Sequence, residues 1–167
     1  KIIMGCKRYT GIGSRTVPQE IGELMTKIAV KLEGLGYTLR SGNCHGSDQY
    51  FEKEVKNKEI FIPWKSFGEG IVPQETEFAH TLLKEVHPAY DRLSQGALKL
   101  HLRNVNQVLG ADLNTPSKFL ICWAKMDKQG SPIGGTRTAW KIAEKYGIPC
   151  FNLAREEDKN RILKIIE

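Results

Sequence analysis

The sequence predicts an α/β fold: an open parallel sheet with helices on both faces, three layers in all. Three observations lead to it. Short apolar runs alternate with amphipathic helical patterns, with no linker or low-complexity tract between them. Phe119-Leu120-Ile121-Cys122-Trp123 is an unbroken apolar run, as expected of a parallel strand covered on both faces. Polar, glycine-rich loops at residues 11–16, 41–48 and 130–138 follow predicted strands, and such folds bind ligands beyond the carboxyl ends of their strands.

The first strand is expected within residues 2–9, followed by a turn at Gly11-Ile12-Gly13-Ser14-Arg15. Pro18 suits the first turn of a helix, where its missing N–H costs nothing. Ile21, Leu24, Met25, Ile28, Ala29 and Leu32 then recur at helical spacing, and Gly34 and Gly36 end the run. Tyr37 to Arg40 reads as a short strand, Asp48 onward as a helix reaching toward Asn57, and Glu59 to Ile62 as a third strand. Residues 65–88 are irregular, with a short helix expected at Glu75 to Leu83. After Pro88, Leu93, Ala97, Leu100, Val105, Val108 and Leu109 mark a long helix. Lys118 to Ala124 is the central buried strand. Ala139 to Tyr146 (helix), Ile148 to Leu153 (strand) and Glu156 to Ile166 (helix) close the chain, the last with acids in its first turn.

At 167 residues the chain is long enough for a real core and is read as one domain, 1–167. Its apolar share of 40% argues against intrinsic disorder. No run of 18 apolar residues is present, so no membrane partner is expected. No signal peptide is expected either, because no basic, apolar and small-residue succession opens the sequence. Cys6, Cys44, Cys122 and Cys150 form no C-x-x-C pair. They read as free thiols of a reducing, cytoplasmic protein, and no metal or cofactor is expected.

The first loop supplies Gly11, Gly13, Ser14 and Arg15. Its glycines let backbone approach a ligand, and Arg15 can contact phosphate or carboxylate. It is not the dinucleotide fingerprint, since position 16 is Thr and no acid lies at 35–40. A tight turn with no ligand is the plainer alternative. The second loop offers Gly42, Asn43 and Asp48. Asp48 is placed either to accept from a ribose hydroxyl or base amine, or to satisfy N–H groups at the start of its own helix. The third loop, Gly134, Gly135, Thr136, Arg137 and Thr138, puts a glycine pair and two threonines ahead of a helix, an arrangement suited to an anion. No G-K-[ST] follows, so it is not a Walker A loop.

Together, Thr10-Gly11-Ile12-Gly13-Ser14-Arg15, Ser41-Gly42 with Gly46-Ser47-Asp48, and Gly134 to Thr138 resemble a Rossmann-like nucleotide-binding superfamily. It contains the LOG-type (lysine-decarboxylase-like) phosphoribohydrolases, DprA-like proteins and molybdenum-cofactor carrier proteins. The resemblance covers residues 8–153 and implies a nucleotide or nucleotide-like ligand and a homodimer. LOG enzymes release the base from nucleoside 5′-monophosphates with a G-G-x-G-T-x-x-E motif. Gly134, Gly135 and Thr138 match it, whereas Arg137 stands at the third glycine and Lys141 at the glutamate. Arg103-Asn104 resembles those enzymes' arginine-containing segment. A hydrolase would therefore need another acid beside Arg103, and Glu75 or Glu77 is the expected substitute. Binding without catalysis is the first reading and base release the alternative.

The formal charge is +6. Its basic residues are dispersed, with no cluster interleaved with aromatics, so nucleic acid is not expected as a partner.

Overall fold

A computed structural model describes residues 7–167. Five parallel strands form one sheet in the order β3-β2-β1-β4-β5. They are β1 (Arg8–Gly13), β2 (Thr38–Ser41), β3 (Lys58–Ile60), β4 (Leu120–Trp123) and β5 (Cys150–Asn152). The helices are α1 (Gln19–Gly34), α2 (Ser47–Glu52), α3 (Glu77–Val86), α4 (Gln95–Leu109), α5 (Thr136–Lys145) and α6 (Glu156–Ile165).

Period-2 alternation along the strands builds two cores. Tyr9, Leu39, Phe119, Ile121 and Phe151 pack with α1, α2 and α6, through Met25, Ile28, Leu32, Phe51 and Ile162. Ile12, Leu120 and Cys122 point to the other face and pack with α3, α4 and α5, through Leu83, Val105, Leu109, Ala139 and Ile142. The expected three-layer architecture is the observed one: a Rossmann-like α/β sheet with helices on both faces.

Element ends moved in instructive ways. The expected first strand at 2–9 reaches outside the described residues, and the observed β1 runs on through Gly11, Ile12 and Gly13. Those residues are strand rather than turn because Ile12 is core and pairs with Cys122 of β4. A Cβ on Gly11 would stand 2.8 Å from Leu39 Cδ1 and 3.0 Å from Phe51, so this glycine serves packing. Thr136 to Thr138 form the first turn of α5 and are not a loop. α3 starts two residues later than expected, where Thr76 Oγ1 accepts from the Ala79 N–H at 3.1 Å, and Ser94 caps α4 likewise at 3.2 Å.

β1 leads through α1 to β2 and outward to β3, while β4 returns to the other side of β1. The sheet therefore changes direction between β1 and β4, and a crevice opens beyond their carboxyl ends.

Candidate functional site

A cavity of about 410 Å³ occupies that crevice. β1 ends at Gly13, which with Ser14 and Arg15 just beyond it forms one wall. Gly13 is required there. Its φ is +156°, and a Cβ would stand 2.6 Å from Ser47 Oγ and 2.7 Å from the Trp123 carbonyl. β4 feeds the opposite wall through a loop pinned at its root. Asn152 of β5 accepts from the Ala124 N–H at 3.1 Å and donates to the Ala124 carbonyl at 2.9 Å. Further on, Asp127 accepts from the Gln129 and Ser131 N–H groups, both at 2.9 Å. The loop delivers Ile133, Gly134, Gly135 and Thr136 to the cavity, at the N-terminus of α5. No side chain caps that helix; its Arg137 and Thr138 N–H groups donate to the Gly134 and Gly135 carbonyls at 3.1 and 3.3 Å, which leaves the Gly135 and Thr136 end of the helix at the cavity wall. A Cβ on Gly135 would meet nothing within 4 Å, and Gly135 has a helical φ of −62°. The glycine thus leaves room that neighbouring protein atoms do not claim.

α4 supplies the third wall with Ala97, Leu100, His101, Arg103, Asn104 and Gln107. Arg103 is buried. It donates to the carbonyls of Gly42 and Phe61, each at 2.9 Å, to Cys44 Sγ at 3.1 Å and to Asn104 Oδ1 at 3.0 Å. It therefore fastens α4 to the loops after β2 and β3 and brings its charge to the cavity. Asn104 Nδ2 donates to the Gly135 carbonyl at 3.3 Å. His101 Nδ1 lies 2.8 Å from Thr138 Oγ1, and the His87 ring is edge-on at 4.5 Å. Burial, with the charges of His87 and Arg103 adding, pushes the His101 imidazole down to about 4, so it is neutral at physiological pH.

Asp48 is the one carboxylate among the described residues lining the cavity. Burial pushes it up to about 6, although Arg103 and the N–H groups of Cys44, Gly13 and Gly42 pull the other way. Glu52, one turn further along α2, accepts from the Asn43 N–H at 2.7 Å. Burial, reinforced by the Asp48 charge, pushes it up to about 7. A buried carboxyl with a displaced pKa beside a cation in a crevice marks a candidate functional site.

Of the residues singled out in the sequence, the structure brings Gly13, Ser14, Arg15, Asp48, Arg103, Gly134, Gly135 and Thr136 to one cavity. Thr138 touches it through His101. Gly42 and Asn43 hold the side chains of the cavity floor without lining it. Arg137 turns away to pair with Asp127 at 3.1 Å. Glu77 is exposed at the start of α3, outside the lining. Glu75 borders a separate cleft of about 90 Å³ and lies 2.9 Å from His80 Nε2. His101 and Gln107 were missed, and Asn104 was named only beside Arg103 in the resemblance. Their signal was polar residues at helical spacing on α4, where a core-facing helix would show apolar ones.

Arg15 also borders an open groove of about 660 Å³ on the outer side, with His45, Gln49, Tyr50 and Lys53. No carboxylate among the described residues lines it. Lys53 Nζ lies 5.8 Å from the centre of the Tyr50 ring.

No protein-family model matches the chain, and neither does any curated protein sequence. Among solved structures, the chain is similar to DNA processing protein A from Helicobacter pylori, described for its single-stranded DNA binding mode. The TM-score is 0.59 and the identity 15%, over 95% of this chain and 80% of that one. The likeness is one of fold. It also overturns one expectation: nucleic acid does not drop out as a partner, because a protein of similar fold is described as binding single-stranded DNA. The physical error lay in equating dispersion in sequence with dispersion in space. Arg15 and Lys53 are far apart in the chain and share one groove.

Among the described residues no helix is long and apolar enough to cross a membrane. No group of three or more His, Cys, Asp or Glu among them is placed to hold a metal ion.

Proposed function

We propose that the cavity binds a nucleotide or nucleotide-derived small molecule, with its phosphate at Gly134, Gly135 and Thr136. The observation that carries this is the uncapped N-terminus of α5 opposite Arg15, with unclaimed room above Gly135. Helix N–H groups and a nearby guanidinium are the usual partners of a phosphate. Asp48 and the neutral His101 then face the less charged part of the ligand. G135D tests the reading, because a helical φ and free space let the fold accept the new side chain. Titration calorimetry with a panel of nucleoside monophosphates should show a loss of roughly tenfold or more from like-charge repulsion. Unchanged affinity in folded G135D would remove the phosphate from this site.

A second reading is single-stranded nucleic acid, favoured by the carboxylate-free groove that continues the cavity past Arg15. A phosphodiester in the cavity would let the next phosphate meet Lys53, with the Tyr50 ring available for stacking. Fluorescence anisotropy with a short oligonucleotide should then show salt-dependent binding whose slope falls by about 1 in K53A. Base release from a nucleoside monophosphate is less well supported. Glu75 and Glu77 lie outside the cavity, so that activity would rest on Asp48.

A further inference from the structure

Two carboxyls and one guanidinium converge on the loop Gly42-Asn43-Cys44 at the floor of the cavity. Arg103 Nη1 donates to the Gly42 carbonyl at 2.9 Å and Nη2 to Cys44 Sγ at 3.1 Å. Asp48 Oδ2 accepts from the Cys44 N–H at 3.2 Å, and Glu52 Oε2 accepts from the Asn43 N–H at 2.7 Å. Asn43 has a φ of +57°, a left-handed backbone that this clamp holds in place. Asp48 and Glu52 stand one turn apart on α2 and share one face of it. Asp48 is 3% exposed and lines the cavity, whereas Glu52 is 7% exposed and lies behind it.

The charges there do not balance. With both acids ionised, two buried negative charges share the guanidinium of Arg103. The other groups around them do not make up the difference. Arg15 is exposed at the cavity mouth, and His101 and the Cys44 thiol are neutral. Lys58 of β3 eases Glu52 as a minor cause, its ammonium donating to the Glu52 backbone carbonyl at 3.0 Å. Arg40 of β2 is matched by Glu59, and α1 meets α2 through the uncharged Gly22 and Thr26. Burial with too little opposing charge favours a proton on the pair, and both carboxyls are pushed up accordingly. The fully buried Ser41 hydroxyl beside Glu52 suits either state, since a hydroxyl both donates and accepts.

We propose that the Asp48–Glu52 pair is a proton-coupled switch on the cavity, taking up a proton as an anionic ligand binds beside it. A phosphate entering next to an ionised Asp48 is repelled, and a protonated pair removes that repulsion. Linkage makes the effect reciprocal: the bound anion favours the proton, and the proton favours the anion. Affinity therefore rises as pH falls through the range where the pair titrates. This inference rests on the nucleotide reading, which supplies the anion.

Titration calorimetry of the full chain with nucleoside 5′-monophosphates, repeated in buffers of different ionisation enthalpy, counts the protons taken up. The nucleotide's own phosphate ionises at about pH 6 whatever the variant, so the parent is read against D48N/E52Q, which keeps both acceptors as amide oxygens. At about pH 7.5 the parent should take up about half a proton or more per ligand beyond the double variant. Its affinity should rise roughly fivefold more than the double variant's between about pH 8.5 and about pH 6.5. E52Q alone is altered behind the cavity wall and leaves Asp48 matched with Arg103. It should remove about half or more of the extra uptake, which covers the case of a misfolded double variant. Equal proton uptake and equal pH dependence in the parent and both variants overturn the switch while leaving nucleotide binding intact. Binding of no nucleotide at any pH overturns the nucleotide reading itself, and the switch with it.

Discussion

Two arginines are buried among the described residues, and they are buried differently. Arg40 on β2 faces a carboxylate, with Nε 2.9 Å from Glu59 Oε1. Its Nη1 donates to the Thr115 carbonyl at 2.6 Å and to Ser117 Oγ at 3.1 Å. Its charge is matched and its donors are consumed, in a part of the fold away from the crevice. Arg103 on α4 has carbonyls, a thiol and an amide as hydrogen-bond partners. Neutral dipoles hold the guanidinium in place, with the Asp48 carboxyl as the acid near it in the cavity. A fixed cation of that kind beside a cavity attracts anionic ligands, whereas a matched one only holds strands together.

The largest difference should appear in stability. R40A leaves Glu59 to Arg8 alone and strips the Thr115 carbonyl and the Ser117 hydroxyl of their donor, so the lost ion pair adds to unpaired acceptors that cost about 1–3 kcal/mol. R103A strands the Gly42 and Phe61 carbonyls, again at about 1–3 kcal/mol. Urea unfolding should therefore rank R40A below R103A. Nucleotide affinity should fall in R103A. Equal destabilisation, with affinity untouched in R103A, would erase the distinction.

The carboxylates beside the two arginines should respond oppositely to pH. Burial alone would raise Glu59, but hydrogen bonds and charges from Arg8 and Arg40 outweigh it and hold its pKa below the usual range. That contribution is present above the ordinary glutamate value and is lost as the solution is acidified through the lowered one. Asp48 and Glu52 are pushed up to about 6 and about 7. Their folded state binds protons more tightly than the unfolded chain, so stability is fully present below their ordinary values and declines as pH rises through about 7. Melting followed from about pH 5 to about pH 8 should show that decline, and E52Q should flatten it. A slope as steep in E52Q as in the parent would show that Glu52 does not hold the proton.

The same contrast explains what the sequence could and could not reveal. The sheet was legible because Phe119 to Trp123 is apolar without interruption and α1 carries a clean 3.6 period. The loops at the carboxyl ends were legible from their glycines, and topology alone gathers them at one edge. The polar wall of α4 was not. His101, Asn104 and Gln107 look like solvent-facing residues until α4 is laid across the crevice, which no local pattern specifies. Arg137 was misleading for the opposite reason. Its place in the motif suggested a ligand, yet Asp127 ten residues earlier captures it once the loop closes. Arg40 gave no signal either, since burial of a charge depends on a partner from another strand.

Arg15 sharpens the comparison at the mouth of the cavity. It is exposed, so water screens it in a way that Arg103 escapes. R15A should weaken a nucleoside monophosphate by only about 1 kcal/mol, roughly fivefold. The corresponding nucleoside should hardly change. Equal losses for both in calorimetry would place Arg15 away from the phosphate.

The smallest effects belong to the acids on the far side of Arg103. Glu75 Oε1 lies 2.9 Å from His80 Nε2 with about half of its side chain exposed, at 53%. An exposed ion pair contributes about 0–1 kcal/mol. E75Q should thus cost at most about 1 kcal/mol. Glu77 sits in the first turn of α3, where a negative charge favours the helix by about 0.3–1 kcal/mol, so E77Q should be a similarly small perturbation. Neither substitution should move nucleotide affinity, because neither residue lines the cavity. Chemical unfolding, paired with calorimetry, separates the two roles. A tenfold loss of affinity in E75Q/E77Q with stability preserved would mean that the acids reach the ligand across Arg103, and that the wall between the cavity and the smaller cleft opens when the ligand binds.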